Sequence, residues 1–161
     1  MDKDVMIYKF TPKLNRKLRK WIRDNGFFCT LRYGINLSYQ VDTEDAAVLV
    51  PHEFDLSKDE WFHEHLSELG YCGEYASIVL DVLHELGHDQ TMHLFSGVEI
   101  EYSHLLKDMI PPQCCDRDRY MQYWNTPIEH AANLWLIMYV KLFPRKVSEL
   151  EEIFTKYGED V

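Results

Sequence analysis

The chain has 161 residues and a formal net charge of −10 at pH 7. Hydrophobic residues make up 46% of it and aromatic residues 14%, which excludes an intrinsically disordered chain and supports a single domain over residues 1–161 with a substantial core. The acidic balance argues against general nucleic-acid binding.

The sequence carries no targeting or redox motif. No apolar run is long enough to cross a bilayer, and residues 1–4 lack the charged and then apolar pattern of a secretory signal. We therefore expect a cytoplasmic protein with no membrane partner, whose oligomeric state the sequence leaves open. No C-x-x-C spacing relates the cysteines, so reduced structural thiols are expected, with a metal site through the last two as a remote alternative: Cys29, Cys72, Cys114 and Cys115.

The first predicted element is an amphipathic helix over residues 11–24. Thr11 suits the N-cap, Pro12 suits the first helical position, and Asn25-Gly26 ends the pattern. The apolar face consists of Leu14, Leu18, Trp21 and Ile22. The other positions are strongly basic: Lys13, Arg16, Lys17, Arg19, Lys20 and Arg23. This pattern indicates a solvated helix docked on the core, with a docking face for an acidic partner as the alternative.

Three strands are predicted next, at 27–33, 35–41 and 46–50. The second has the clearest strand pattern, because apolar and polar residues alternate along it. The third is a continuous apolar run that Pro51 ends. Since the connections are short, we expect a small and mostly antiparallel sheet.

The remainder is predicted to be mainly helical, which makes the fold class α+β. Ser57 can cap a helix over 57–69, on which His63 and His65 are expected to be exposed. Residues 91–110 are ambiguous between strand and helix. Further helices are predicted at 116–123, 127–143 and 145–158.

The most informative motif is His84-Glu85-Leu86-Gly87-His88, which reads H-E-x-x-H inside a predicted helix. Histidines four residues apart lie one turn apart on the same helix face, where both can give a neutral nitrogen to one Zn²⁺. Glu85 stays near that face and suits a general base acting on zinc-bound water. Gly87 has no side chain, so another backbone can approach closely there. The motif predicts a Zn²⁺ cofactor and hydrolytic chemistry.

A catalytic zinc site needs a third protein ligand and one open position. His93 and His104 follow the motif and are candidates. The metzincin pattern does not fit, because Thr91 and Leu94 occupy the positions at which it requires Gly and His. We favour Glu129 as the third ligand.

Glu129 lies near the start of a predicted helix, with Thr126 as its N-cap and Pro127 at its first position. Asn133 lies one turn further along the same face and could accept the free ring N–H of a ligand histidine. The alanines at 131–132 would let this helix pack closely on the one that carries the motif. The alternative is a capping box, in which Glu129 reaches back to the N–H of Thr126 and binds no metal.

H-E-x-x-H followed by a glutamate on a later helix resembles the gluzincin group of zinc peptidases. The short chain and the E-x-x-A-N sequence from Glu129 to Asn133 are most similar to the small metallopeptidases of the ImmA/IrrE type. The resemblance implies a minimal zincin-like fold, in which a small sheet and further C-terminal helices flank the active-site helix. It also implies that His84, His88 and Glu129 bind zinc and that Glu85 is the base.

These observations predict a zinc-dependent peptidase that cleaves a protein or peptide. By analogy with zincins, the substrate would add as a strand to a sheet edge, for which 46–50 is the candidate. A zinc-containing regulatory or interaction protein without catalytic activity and a metal-dependent hydrolase of another bond are the alternatives. The residue that would stabilise the oxyanion stays open among Tyr102, Tyr120, Tyr123, His104 and His130.

Overall fold

The computed structural model describes residues 7–41, 45–56, 60–110 and 117–160. The first part of the chain contains β1 (Ile7–Lys9), α1 (Pro12–Asp24), β2 (Thr30–Tyr33), β3 (Ser38–Val41), β4 (Ala46–Val50) and β5 (Glu53–Asp55). The second part contains α2 (Glu60–Glu68), α3 (Ser77–Thr91), a short 3₁₀ turn (Met92–Leu94), α4 (Gly97–Met109), α5 (Arg117–Trp124), α6 (Pro127–Leu142), α7 (Pro144–Tyr157) and β6 (Glu159–Asp160). This arrangement confirms the α+β fold class.

Three sequence predictions concern residues outside the described ranges, namely the cap at Ser57 and the thiols of Cys114 and Cys115. Of the described cysteines, Cys29 is buried and Cys72 is exposed, and neither forms a disulfide. No helix among the described residues is both long enough and apolar enough to cross a bilayer.

Helix α1 forms as the sequence predicts. The Thr11 side chain accepts a hydrogen bond from the N–H of Leu14 (3.2 Å), which caps the helix, and Gly26 takes a positive φ just beyond its end. The predicted apolar face is buried against the core: Leu14, Leu18, Trp21 and Ile22. Most of its basic side chains point to solvent, while Nε of Arg19 donates to the carbonyl of Leu31 (2.9 Å). The helix is thus docked on the core by its apolar face.

The described strands form two three-stranded sheets. In the first, β1 lies between β5 and β6 and is antiparallel to both. In the second, β4 lies between β2 and β3, antiparallel to β3 and parallel to β2. The pairing is mostly antiparallel, as predicted, but the sequence pattern indicates neither the first sheet nor the parallel pair.

The strand at 46–50 lies in the centre of its sheet, so its prediction as a sheet edge is wrong. The reason is the path of the chain at Gly34, whose N–H donates to the carbonyl of Val50 (2.9 Å). A Cβ at Gly34 would lie 2.8 Å from the Cβ of Leu49. The chain therefore passes directly against β4 and continues to β3 on its other side. The predicted strand 35–41 shortens to β3, which is the sheet edge that contacts α3.

The ambiguous segment at 91–110 is mainly helical. Ser96 and Glu99 form a reciprocal capping box, in which the Ser96 side chain accepts from the N–H of Glu99 (3.2 Å) and the Glu99 carboxylate accepts from the N–H of Ser96 (3.0 Å). This box starts α4 and overrides the strand-like alternation that follows it. On α2, His65 is buried beside Trp124, so the prediction that it is exposed is wrong.

Helices α3 and α6 approach each other closely at Gly87. A Cβ there would lie 2.7 Å from the carbonyl oxygen of Ala132 and 3.1 Å from its Cα. Any larger side chain would have to push the two backbones apart. Gly87 and Ala132 therefore allow the side chains one turn away on each helix to meet, as the sequence predicts.

Gly87→Ala should lower the free energy of unfolding by about 1–3 kcal/mol, because the added methyl group overpacks this crossing, even though alanine favours a helix. Gly97→Ala is the matched control, since a Cβ at Gly97 meets no atom within 4 Å. Chemical denaturation measures both. A Gly87→Ala variant as stable as the control would contradict the close contact.

Candidate metal centre

The predicted metal ligands lie at the interface of α3 and α6. His84 and His88 are one turn apart on α3, and Glu129 is in the first turn of α6. Their exposed fractions are 4%, 6% and 2% respectively. Three ionisable side chains at such low exposure require mutual compensation or a bound ion.

The two imidazoles converge on one carboxylate oxygen. Nε2 of His84 lies 2.7 Å from Oε2 of Glu129, and Nε2 of His88 lies 3.1 Å from the same oxygen. Glu85 is adjacent, and one possible ligand atom from each of His84, Glu85 and His88 lies within 4.8 Å of the others. The structure thus places the buried carboxylate of Glu129 and the partly buried carboxylate of Glu85 beside the imidazoles of the two histidines.

Asn133 determines which ring nitrogen carries the hydrogen when His84 is neutral. Its side-chain oxygen lies 2.7 Å from Nδ1 of His84, and because an amide oxygen only accepts, Nδ1 carries the hydrogen. Nε2 of a neutral ring then presents a lone pair to the Glu129 carboxylate, which is also an acceptor. Only a proton or a metal cation between the two atoms makes this contact favourable. Two imidazole nitrogens and one carboxylate oxygen are a donor set that suits Zn²⁺, so the residues fit the predicted ion.

The pKa values reflect this arrangement. Burial lowers the pKa of His84, but the hydrogen bond and the negative charge of Glu129 outweigh burial and raise it above its usual value. Burial raises the pKa of Glu129, but the charge of His88 and the hydrogen bonds from both imidazoles hold it well below its usual range. Burial raises the pKa of Glu85, with the nearby imidazoles opposing the shift in part. Glu129 therefore stays ionised, while Glu85 holds a proton more readily than an exposed glutamate.

The second oxygen of Glu129 is bound from two other helices. Nζ of Lys107, on α4, lies 2.7 Å from Oε1, and the hydroxyl of Tyr123, on α5, donates to the same oxygen at 3.3 Å. Burial and the charges of Glu129 and Glu85 raise the pKa of Tyr123, so its phenol keeps its proton. Both oxygens of the carboxylate are thus occupied by separate sets of partners.

The capping-box alternative for Glu129 does not form. Thr126 has the extended backbone of an N-cap, but no backbone N–H of α6 bonds to its side chain. Its hydroxyl donates instead to the carbonyl of Tyr123 (2.7 Å). Glu129 is left free to turn toward α3, where its charge is compensated by the imidazoles and Lys107.

The other candidate ligands lie elsewhere. His93, on the 3₁₀ turn, and His104, on α4, are both exposed, whereas His84, His88 and Glu129 are buried. Of the candidates for oxyanion stabilisation, Tyr123 contacts Glu129, whereas Tyr102 is exposed and Tyr120 packs against Trp61. His130 is partly buried on α6.

Aromatic rings enclose the imidazoles. The centroids of Phe62 and Trp124 lie 5.6 Å and 5.2 Å from the ring of His84. The ring of Tyr39 stacks on His88 at 6.2 Å, and its hydroxyl donates to Asp89 (2.9 Å). These rings exclude water from one side of the cluster and fix the rotamers of the histidines.

The sequence analysis misses five residues of this neighbourhood: Tyr39, Phe62, Asp89, Lys107 and Trp124. Tyr39 and Lys107 come from elements distant in sequence, and no local spacing connects them with the motif. Asp89 follows the motif directly, but a single aspartate gives no indication that a tyrosine from a sheet edge bonds to it. The capping-box pattern at Ser96 and Glu99 could have indicated that Lys107 lies on a helix. It could not have indicated the direction in which the Lys107 side chain points.

Comparison of the chain with protein-family models, with curated proteins and with solved structures finds no match in any of the three.

Glu129→Ala should weaken Zn²⁺ binding by more than about 100-fold, because it removes the carboxylate that faces both imidazoles. Competition with a chromogenic chelator measures the affinity and stoichiometry. Glu152→Ala, which removes an exposed glutamate from α7, should bind as the unaltered chain does. Unchanged affinity in Glu129→Ala would exclude Glu129 as a ligand.

Asn133→Ala should weaken Zn²⁺ binding about 10–100-fold, because Nδ1 of His84 loses its acceptor and the ring loses its orientation. Asn133→Asp is the matched variant, since it keeps an acceptor oxygen at the same position and should retain most of the affinity. The same competition assay compares them. Equal losses in both variants would show that the hydrogen bond is not what orients the ring.

Proposed function

We propose that the protein is a zinc-dependent peptidase of the gluzincin type, similar to the small ImmA/IrrE metallopeptidases. The observation that carries this proposal is the convergence of His84 and His88 on Oε2 of Glu129, with Glu85 beside them. A purely structural zinc site has no need of such an adjacent carboxylate. The H-E-x-x-H motif supports the same chemistry, and the close approach of α3 and α6 at Gly87 lets Glu129 reach the imidazoles.

The ion would be held by Nε2 of His84, Nε2 of His88 and Oε2 of Glu129. When bound, Zn²⁺ lowers the pKa of water and polarises a carbonyl group. Asn133 fixes the ring of His84 through Nδ1, which leaves Nε2 free as a donor atom. Metal binding would replace the proton that the contact between His84 and Glu129 otherwise requires.

Glu85 is the proposed general base. It is partly buried on the same helix as the imidazoles, and burial raises its pKa toward the neutral range in which a general base works well. It would take a proton from the attacking water and pass that proton to the leaving amine. In this scheme Glu85 is not a ligand, which keeps its carboxylate available for both transfers.

Strand β3 is the proposed docking edge for the peptide. It is the sheet edge that contacts α3, and Tyr39 on it stacks on His88. An extended peptide added to this edge would run past the imidazoles, with main-chain hydrogen bonds holding its register. Strand β3 takes the place of the 46–50 strand as the proposed docking edge, because the 46–50 strand already pairs with a strand on each side.

Tyr123 is the proposed oxyanion donor. Of the five sequence candidates, it is the one whose hydroxyl reaches Glu129. Because its raised pKa keeps the phenol protonated, it can donate to a developing negative charge. Its hydrogen bond to Glu129 is long at 3.3 Å, so exchanging it for a bond to the substrate costs little.

Glu85→Gln should leave Zn²⁺ bound and lower peptide cleavage by at least about 100-fold, because the amide cannot accept the proton. Mass spectrometry of a peptide library incubated with zinc-loaded protein measures cleavage, and the chelator competition measures metal. Glu101→Gln is the control, since Glu101 is exposed on α4.

Retained cleavage in Glu85→Gln would remove Glu85 as the base. If the unaltered chain binds zinc but cleaves no peptide in the library, the result favours the alternative of a zinc-containing regulatory or interaction protein.

A further inference from the structure

Lys107 is a partner of Glu129 that the proposed chemistry does not use. Its Nζ lies 2.7 Å from Oε1 of Glu129, and the exposed fractions of the two side chains are 20% and 3%. A partly buried ammonium group loses solvation, so such a contact persists only where the charge pair compensates for that loss. Of the described ion-pair partners of Glu129, Lys107 is the one ammonium group, and the other two are the imidazoles of His84 and His88.

The packing of α4 does not account for this contact. Ser103 is the only buried residue of α4, and most of the large apolar side chains of this helix face solvent: Val98, Tyr102, Leu105 and Met109. Lys107 points the other way, and its Nζ lies 5.7 Å from the centroid of the Tyr123 ring. Lys107 is thus among the few side chains of α4 that reach inward, and it ends on a predicted metal ligand.

The two carboxylate oxygens of Glu129 have different partners. Oε1 is held by Lys107 and Tyr123, while Oε2 faces the two imidazoles. A partial rotation that turned both oxygens toward the imidazoles would move Oε1 away from Lys107. With Oε1 engaged, the carboxylate can offer only Oε2 to an ion, which would leave a coordination position open for water.

We propose that Lys107 is a positioning residue that fixes Glu129 as a ligand through a single oxygen. This inference rests on the proposed metal site. The opposite effect is also physical, because an ammonium group repels a divalent cation and weakens the carboxylate as a donor. Since the two effects change metal affinity in opposite directions, the affinity of a Lys107 variant decides between them.

The test compares zinc affinity in Lys107→Met, Lys107→Arg and the unaltered chain by chelator competition. Lys107→Met should bind Zn²⁺ about 10–100-fold more weakly, as is typical when a residue that orients a ligand is lost. Lys107→Arg keeps the charge and the donors and should recover most of the affinity. Lys141→Met is the matched control, because it removes an exposed charge from α6 and should change nothing.

The visible absorption spectrum of Co²⁺-loaded protein gives a second readout that does not depend on catalysis. Lys107→Met should change the band intensities, because freeing Oε1 alters the coordination, whereas Lys141→Met should keep the original spectrum. Circular dichroism checks that each variant is folded. Because α4 has little buried surface, we expect folding to be retained.

Three outcomes would overturn the proposal while the metal site stands: unchanged or tighter zinc binding in Lys107→Met, equal losses in Lys107→Met and Lys107→Arg, and an unaltered cobalt spectrum in Lys107→Met. If the unaltered chain itself binds no zinc, the proposed function fails, and this inference fails with it.

Discussion

The buried carboxylate of Glu129 is the group on which the candidate site depends. A carboxylate at 2% exposure is costly unless every lone pair is engaged, and here both oxygens are engaged by groups from three helices other than its own. The close contact of Gly87 with Ala132 brings α6 near enough to α3 for this to happen. The packing of α3 on α6 and the charge compensation of Glu129 therefore depend on each other, so a change in one affects the other.

This coupling also explains why the cluster suits an ion. Asn133 keeps the hydrogen of a neutral His84 on Nδ1. Nε2 of His84 and Oε2 of Glu129, which face each other, are then both acceptors. A proton satisfies one such contact, whereas a divalent cation satisfies both imidazoles and the carboxylate at once. The proposed peptidase chemistry follows from the position of Glu85 beside this group.

The parts of the structure that the sequence predicts are those with local signals. Thr11 and Pro12 mark α1, Pro127 marks α6, and the spacing of His84 and His88 gives their shared helix face. Each of these signals acts within one or two turns of helix, so neighbouring residues suffice to recognise it.

The parts that the sequence does not predict depend on contacts between distant segments. Strand β4 is central because the chain passes against it at Gly34 and pairs with it again as β3. The alternation of apolar and polar residues does not reveal this path. The role of Lys107 depends on where α4 lies relative to α6. The pairing of Glu129 with the imidazoles rather than with its own helix cap is likewise set by tertiary packing, which is why the capping box was a real alternative.

X-ray absorption spectroscopy at the zinc edge, on protein reconstituted with one equivalent of Zn²⁺, tests the central claim most directly. The account predicts a first coordination shell of nitrogen and oxygen only, with the outer-shell scattering of two imidazole rings, and the loss of one light-atom ligand in Glu129→Ala. Sulfur in the first shell, fewer than two imidazoles, or failure to retain zinc would contradict it.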